Sequence, residues 1–133
     1  GELLLVGGLP VTGFALDAAA RMRTALYAEM KTGAVRACHD ATGGWLAALA
    51  EMAIAGDRGG AVDASVNDDA FEPTCTSFVI ETPPGGAAAM LARLAALGVA
   101  GRRLGRVAND RSFTVGREAV AVKALRRAWR AAE

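Results

Sequence analysis

Short apolar runs and helical stripes alternate along this chain, and their boundaries fall at glycine and proline. Leu3 to Val6 is an apolar run closed by Gly7-Gly8 and Pro10, which predicts a strand followed by a turn. From Ala15 to Lys31 the spacing becomes helical, with Ala15, Ala19, Met22, Leu26 and Met30 on one stripe and Gly33 placed to cap the end. Val35 to Cys38 reads as a buried strand that delivers His39 and Asp40 at its C-terminal end. Thr42-Gly43-Gly44 then turns the chain into a second helix over 45–55, with Leu46, Leu49, Ala50 and Ala53 inward and Gly56 as its stop.

Ala61 to Val66 alternates weakly and is expected to be an edge strand, followed by a polar loop from Asn67 to Pro73. Thr76 to Thr82 alternates clearly, with Phe78 and Ile80 on one face and Val79 on the other, and Pro83-Pro84-Gly85-Gly86 ends it. A third helix spans 87–97 with Met90, Leu91, Leu94 and Leu97. Two strands, 102–107 and 112–115, flank a turn at Asn109-Asp110. A last helix is expected over 119–132, with Val122, Leu125 and Trp129 on one face and most of its bases on the other. This order predicts an α/β (α+β) domain, a mixed sheet layered with helices, in which 76–107 forms a right-handed strand–helix–strand crossover.

With 133 residues the chain fits a single domain, 1–133. Its aromatic share is only 5%, so the core must come from Leu, Val, Ile, Met and close-packed Ala. No apolar run approaches the length of a bilayer-crossing helix, and the acidic, short opening strand is not a signal peptide. Gly1 in place of Met fits a piece of a longer chain. Cys38 and Cys75 are too few for a disulfide framework or a zinc site, which fits free thiols in a cytoplasmic protein, with Cys38 buried and inert.

Formal net charge is +1, but nine bases against two acids lie between Arg102 and Arg130. On a regular strand Arg102 and Arg106 share one face and Arg103 the other, and no aromatics interleave with these bases. That argues against nucleic-acid binding. The acids Asp57, Asp63, Asp68 and Asp69 match no calcium loop and read as solvated carboxylates, so no metal site is expected.

The stretch Arg36-Ala37-Cys38-His39-Asp40-Ala41-Thr42-Gly43-Gly44-Trp45-Leu46 carries the candidate chemistry. A strand ends, two polar side chains project, and a glycine-rich turn opens a helix. Backbone N–H groups at such a helix start favour an anion such as phosphate, and glycine lets a ligand approach them. A plain tight turn fits the same residues. His39, the one histidine, has Asp40 beside it but no nucleophile at triad spacing, and a His bonded to backbone or to Asp40 fits equally.

The run His39 to Gly56, His-Asp-Ala-Thr-Gly-Gly-Trp-Leu-Ala-Ala-Leu-Ala-Glu-Met-Ala-Ile-Ala-Gly, resembles the HDxSDGGLxxALAEMAxAG stretch of phosphoribosylformylglycinamidine synthase. The order of later features is similar too: an acidic loop, Phe71, the Ser77–Ile80 strand, Pro83-Pro84, and Leu104-Gly105-Arg106-Val107. The likeness covers roughly residues 34 to 116. It places the chain with the C-terminal domains of the superfamily of aminoimidazole ribonucleotide synthetase, and the fold of that domain is what the resemblance implies.

The resemblance also implies a parent protein in which a preceding domain binds ATP and Mg2+, while this domain covers the cleft on the substrate side. That parent uses ATP to activate an amide oxygen, and ammonia then displaces phosphate to give an amidine. Residues 1–8 would be the last strand of the missing N-terminal domain or a strand borrowed by this one. Thr42, Gly43 and Gly44 would contact the phosphate of a ribonucleotide substrate, with His39 and Asp40 orienting the turn. The implied partners are an ATP-binding domain of the same or another chain and the phosphorylated ribonucleotide. A homodimer is compatible, and the isolated domain would catalyse nothing. Two departures bear on this: Gly43 replaces the family's acid and Trp45 one of its glycines, and Glu72-Pro73-Thr74-Cys75-Thr76-Ser77 replaces a Gly-Glu-Ser-Pro-Ser-Arg motif. They favour an alternative, a diverged non-catalytic paralogue acting as an assembly module.

Overall fold

The Leu3–Val6 run becomes an interior strand. In a computed structural model describing residues 1–7, 16–63, 66, 68–74 and 76–132, β1 (Glu2–Gly7) pairs antiparallel with both β4 (Ser77–Thr82) and β5 (Gly101–Ala108). Predicted features at Gly8, Pro10, Ala15 and Cys75 lie outside the described residues. The other strands are β2 (Ala37–Asp40), β3 (Gly59–Val62), β6 (Ser112–Val115) and β7 (Glu118–Ala121). The seven strands run in the order β2-β4-β1-β5-β3-β6-β7, with β3 and β6 the parallel pair. The helices are α1 (Leu16–Lys31), α2 (Trp45–Gly56), α3 (Ala87–Ala96) and α4 (Val122–Ala131), and a single helical turn spans Asp68–Phe71.

A strand between two others must be apolar on both faces if helices cover both, and β1 is. Leu3 and Leu5 join the core beneath α2 and α4, where Trp45, Leu49, Val62, Val79, Leu104, Phe113 and Val122 meet. Leu4 and Val6 join the core beneath α1 and α3, with Met22, Leu26, Ile80, Met90 and Leu94. Burying Leu4 and Val6 completely contributes about 1.5–3 kcal/mol each. The α2 stripe is rotated slightly from the predicted one: Trp45 and Ala48 are buried with Leu49 and Ala53, while Leu46 is partly covered. On α1 and α3, Met30 and Leu97 are exposed.

Both β4 and β5 are antiparallel to β1, so they run parallel to one another with β1 between them and α3 in the crossover. Glu2 ties this arrangement to the helix. Its Oε2 accepts from the Ala87 N–H at 3.1 Å, at the helix start where a carboxylate is favoured. That bond, then Arg103, holds the Glu2 carboxyl below the usual range. Arg103 also reaches Asp63, with contacts of 2.8 and 2.6 Å.

Four expectations change. Of the 61–66 strand, 64–65 lie outside the described residues and only 61–62 fall in β3, which starts earlier at Gly59 and lies inside the sheet between β5 and β6, not at an edge. The three-residue link from β5 to β6 therefore passes over its start. A Cβ at Gly59 would lie 2.2 Å from the Ser112 carbonyl oxygen, and one at Gly105 would lie 2.0 Å from that of Ala61. Second, the register of β1 on β5 shifts between Leu3 and Leu4, so Leu104 and Gly105 form a bulge. Beyond it the pleat is out of phase, and Arg106 falls on Arg103's face, not Arg102's. Third, residues 119–121 belong to β7. A two-residue turn at Gly116-Arg117, with Gly116 at φ +59, pairs Val115 with Glu118, and the helix starts at Val122. Fourth, α2 runs through Gly56, and Asp57 adopts the left-handed conformation that ends it. Among the described residues no helix is long and apolar enough to cross a membrane.

Gly105→Ala should therefore destabilise the chain by about 3 kcal/mol or more, because strand backbones must part. Gly33→Ala, with φ +80 and nothing within 4 Å, should cost about 1 kcal/mol. Urea midpoints of the two variants test this. Equal losses would show that the β3–β5 approach is not the constraint.

Candidate functional site

Strand β2 spans 37–40, so His39 and Asp40 lie within it and not beyond its end. It is the edge of the sheet, bonded only to β4, and that explains a further correction: Cys38 is exposed. Its neighbours still cover the thiol in part, and that burial, with the Asp40 charge, pushes its pKa up. His39 pairs with Val79 and so faces α2. Its Nε2 lies 2.7 Å from Glu51 Oε2, on the second turn of that helix. Nδ1 lies 2.6 Å from the Asp40 carbonyl oxygen and 3.3 Å from its Oδ1. Both ring nitrogens thus face oxygen atoms.

Asp40 continues the chain. Its Oδ2 accepts from the Thr42 hydroxyl, which, ahead of the His39 charge, holds the carboxyl below the usual aspartate range. The structure therefore gathers His39, Asp40 and Thr42 and adds Glu51. Only its place twelve residues beyond His39, on the flank of α2, could have revealed Glu51 from the sequence.

The glycines divide. Gly44 has φ +96, and a Cβ there would lie 2.4 Å from the Ala70 carbonyl oxygen and 2.8 Å from Phe71 Cα. Its glycine is demanded by the turn at Asp68–Phe71 packing over it. The Gly44 amide donates to the Ala41 carbonyl at 3.0 Å, closing the tight turn, so it is not bare. Gly43 is exposed, and a Cβ there would meet only Ala47 Cβ at 3.8 Å. The fold does not require its lack of a side chain. Helix α2 opens with Ala48 N–H donating to the Gly44 carbonyl, and no side chain caps the amides ahead of it.

Trp45 does not crowd this surface. Its ring is 2% exposed, packed back into the core, with the Arg102 guanidinium 5.7 Å from its centre. Arg102 in turn pairs with Asp69. Among the described residues the indole N–H and Asp69 Oδ1 are buried without a hydrogen-bond partner. Of the other loop acids, Asp57 pairs with Arg111 at 3.2 Å and Arg126 at 3.1 Å, and Asp63 with Arg103. They are tied into ion pairs and not merely solvated.

The Asp40 contact gives a pH prediction. A carboxyl whose folded pKa is depressed contributes stability above the ordinary aspartate value of about 3.9 and loses it as pH falls through the lowered value. Thr42→Val removes the largest cause, so the Asp40 carboxyl resonance should titrate at higher pH in the variant than in the parent chain. Identical titration curves would remove the Thr42 bond as the cause.

Comparison with known proteins adds sequence relatives to this geometry. The family described as AIR synthase related protein, C-terminal domain, matches residues 4–118. The phosphoribosylformylglycinamidine synthase subunit PurL of Acidiphilium cryptum is 40% identical over 104 residues, covering 72% of this chain and 14% of that protein. The PurL subunit of Rhodopseudomonas palustris is 34% identical over 124 residues, 87% of this chain and 17% of its own length. Among solved structures, PurLQS from Thermotoga maritima superposes with a TM-score of 0.81 at 18% identity, over 93% of this chain and 25% of that one. The chain thus spans about a sixth of the curated relatives it matches.

Proposed function

The chain belongs to the AIR synthase related protein, C-terminal domain family, and from that membership we propose that it is the substrate-side domain of an ATP-dependent ligase of purine biosynthesis, like phosphoribosylformylglycinamidine synthase. The identity with the two PurL subunits, over most of this chain, carries the reading. In it the domain is inactive alone, works in the cytoplasm beside an ATP-binding domain of the same or a partner chain, and closes over a phosphorylated ribonucleotide.

At the site, Thr42 and Gly43 form the exposed surface that the substrate phosphate meets. Gly44 shapes the turn and the first-turn amides of α2 stand behind it. Gly43 supports this: it is bare where the fold has no use for a missing side chain, and bareness admits a ligand to the backbone. The chain Glu51–His39–Asp40–Thr42 fixes where the Thr42 hydroxyl points. We place ATP and Mg2+ in the neighbouring domain. The acids near this site are committed to Thr42, His39 and Arg102, and among the described residues no three His, Cys, Asp or Glu side chains are arranged to hold a metal ion.

The alternative, a paralogue that kept the fold and lost the site, is favoured by the closure of the Gly44 amide onto Ala41. Titrating the chain with ribose 5-phosphate while following its amide resonances separates the two. The substrate-side reading predicts saturable shifts at Thr42 and Gly43, extending into Leu46 and Ala47. Silence across 42–47 would remove the ligand role and leave the paralogue.

A further inference from the structure

At the other end of α2 the sheet and helix do not close. The C-terminal half of that helix carries Ala53, Ala55 and Gly56 over a row of strand residues that includes Ala37, Leu3, Val107 and Gly60. Small side chains on both sides leave a slot of about 370 Å3, with Phe113 at one end and Met52 and Leu49 along the helix. That volume is within the range that holds small organic ligands, and its walls are predominantly apolar, as such sites usually are.

The slot opens into a second, polar cavity of about 520 Å3, and Arg58, Glu81 and Val107 line both. Arg36 and Arg106 complete the cationic side of this mouth. The Arg36 amide donates to the Glu81 carbonyl at 2.8 Å, Glu81 pairs with Leu3, and Arg106, paired with Glu2, belongs to the opposite face of the sheet from Glu81. Arg58 precedes β3 directly. Among the described residues none of the three arginines has a carboxylate partner. Arg58 has only a 3.5 Å contact with Asn109 Oδ1, because the adjacent Asp57 is taken by Arg111 and Arg126. Glu81 and Asp110 also line the mouth, and Glu81 is paired with the Gly1 ammonium at 3.6 Å, so cationic groups outnumber carboxylates there.

We propose that this slot and its arginine mouth bind a small amphiphilic anion: an aromatic or short acyl body enters beneath α2 and its carboxylate, sulfonate or phosphate head meets Arg58. The slot touches the network behind the glycine turn only through His39, which lines it, and lies mainly under the C-terminal half of α2, so it stands whether or not that turn binds phosphate. The excess of cationic groups at the mouth suits an anionic head, and the guanidinium fork suits its oxygens.

The probe is 8-anilinonaphthalene-1-sulfonate, tested by calorimetry on the folded chain against N-phenyl-1-naphthylamine, which has the same rings without the sulfonate. Expected are saturable one-to-one binding of the sulfonate, at least tenfold weaker binding of the neutral amine, and a roughly tenfold loss for the sulfonate alone in Arg58→Gln. Arg58 is exposed, so that variant should fold. Ala53→Leu, which fills the slot, should abolish binding of both compounds. Absent or non-stoichiometric sulfonate binding, equal affinity for the two compounds, or unchanged affinity in Arg58→Gln would each overturn the proposal.

Discussion

Strand β1 is the element on which the other layers depend. Hydrogen-bonded on both edges and apolar on both faces, it separates β4 from β5 and supplies residues to both cores. A strand in this position forces β4 and β5 to run parallel to each other, which requires a crossover, and α3 is that crossover. It also puts Glu2 where it can bond the first amide of α3. The helix start, the sheet order and the division of the core into two halves thus follow from where one six-residue segment is placed.

From that centre the sheet extends to two unlike edges, and the candidate sites follow from the difference. On one side β4 carries the edge strand β2, which presents His39 to Glu51 midway along α2, with Asp40 and Thr42 beside it. On the other, β5 accepts β3 so closely that glycine is needed at 105, and the link into β6 crosses β3 so closely that glycine is needed at 59. The same economy of side chains near Gly59 and Gly60 leaves space under the C-terminal end of α2. One helix therefore has a polar network at its start and an apolar slot at its end, both set by the strands beneath it.

Much of the architecture was legible in the sequence because strands and helices with unambiguous periods stand in it. The 77–82 strand alternates as expected, and its flanking Pro83-Pro84 and the 87–96 helix follow. What escaped reading was carried by tertiary contact. Ala119-Val120-Ala121-Val122 suits a helix as well as a strand, and only pairing with β6 decides it. The bulge at Leu104-Gly105 inverts the faces of the arginines after it without altering composition. Cys38 looks apolar in sequence and is exposed because β2 has no outer neighbour. At the site, His39, Asp40 and Thr42 are adjacent enough to be grouped by eye. Glu51 joins them through the geometry of α2 on β2, and the two glycines have different reasons for being glycine that only their surroundings disclose. The family likeness was carried mainly by residues 39–56, and the match now extends over residues 4–118.

The burial of β1 between β4 and β5 can be read directly by amide hydrogen exchange. Leu4, Leu5 and Val6 should exchange among the slowest amides of the chain, at the rate set by global unfolding and together with Val79 and Ile80. Fast exchange of β1 while β4 and β5 remain protected would show a loosely added strand and contradict the arrangement described.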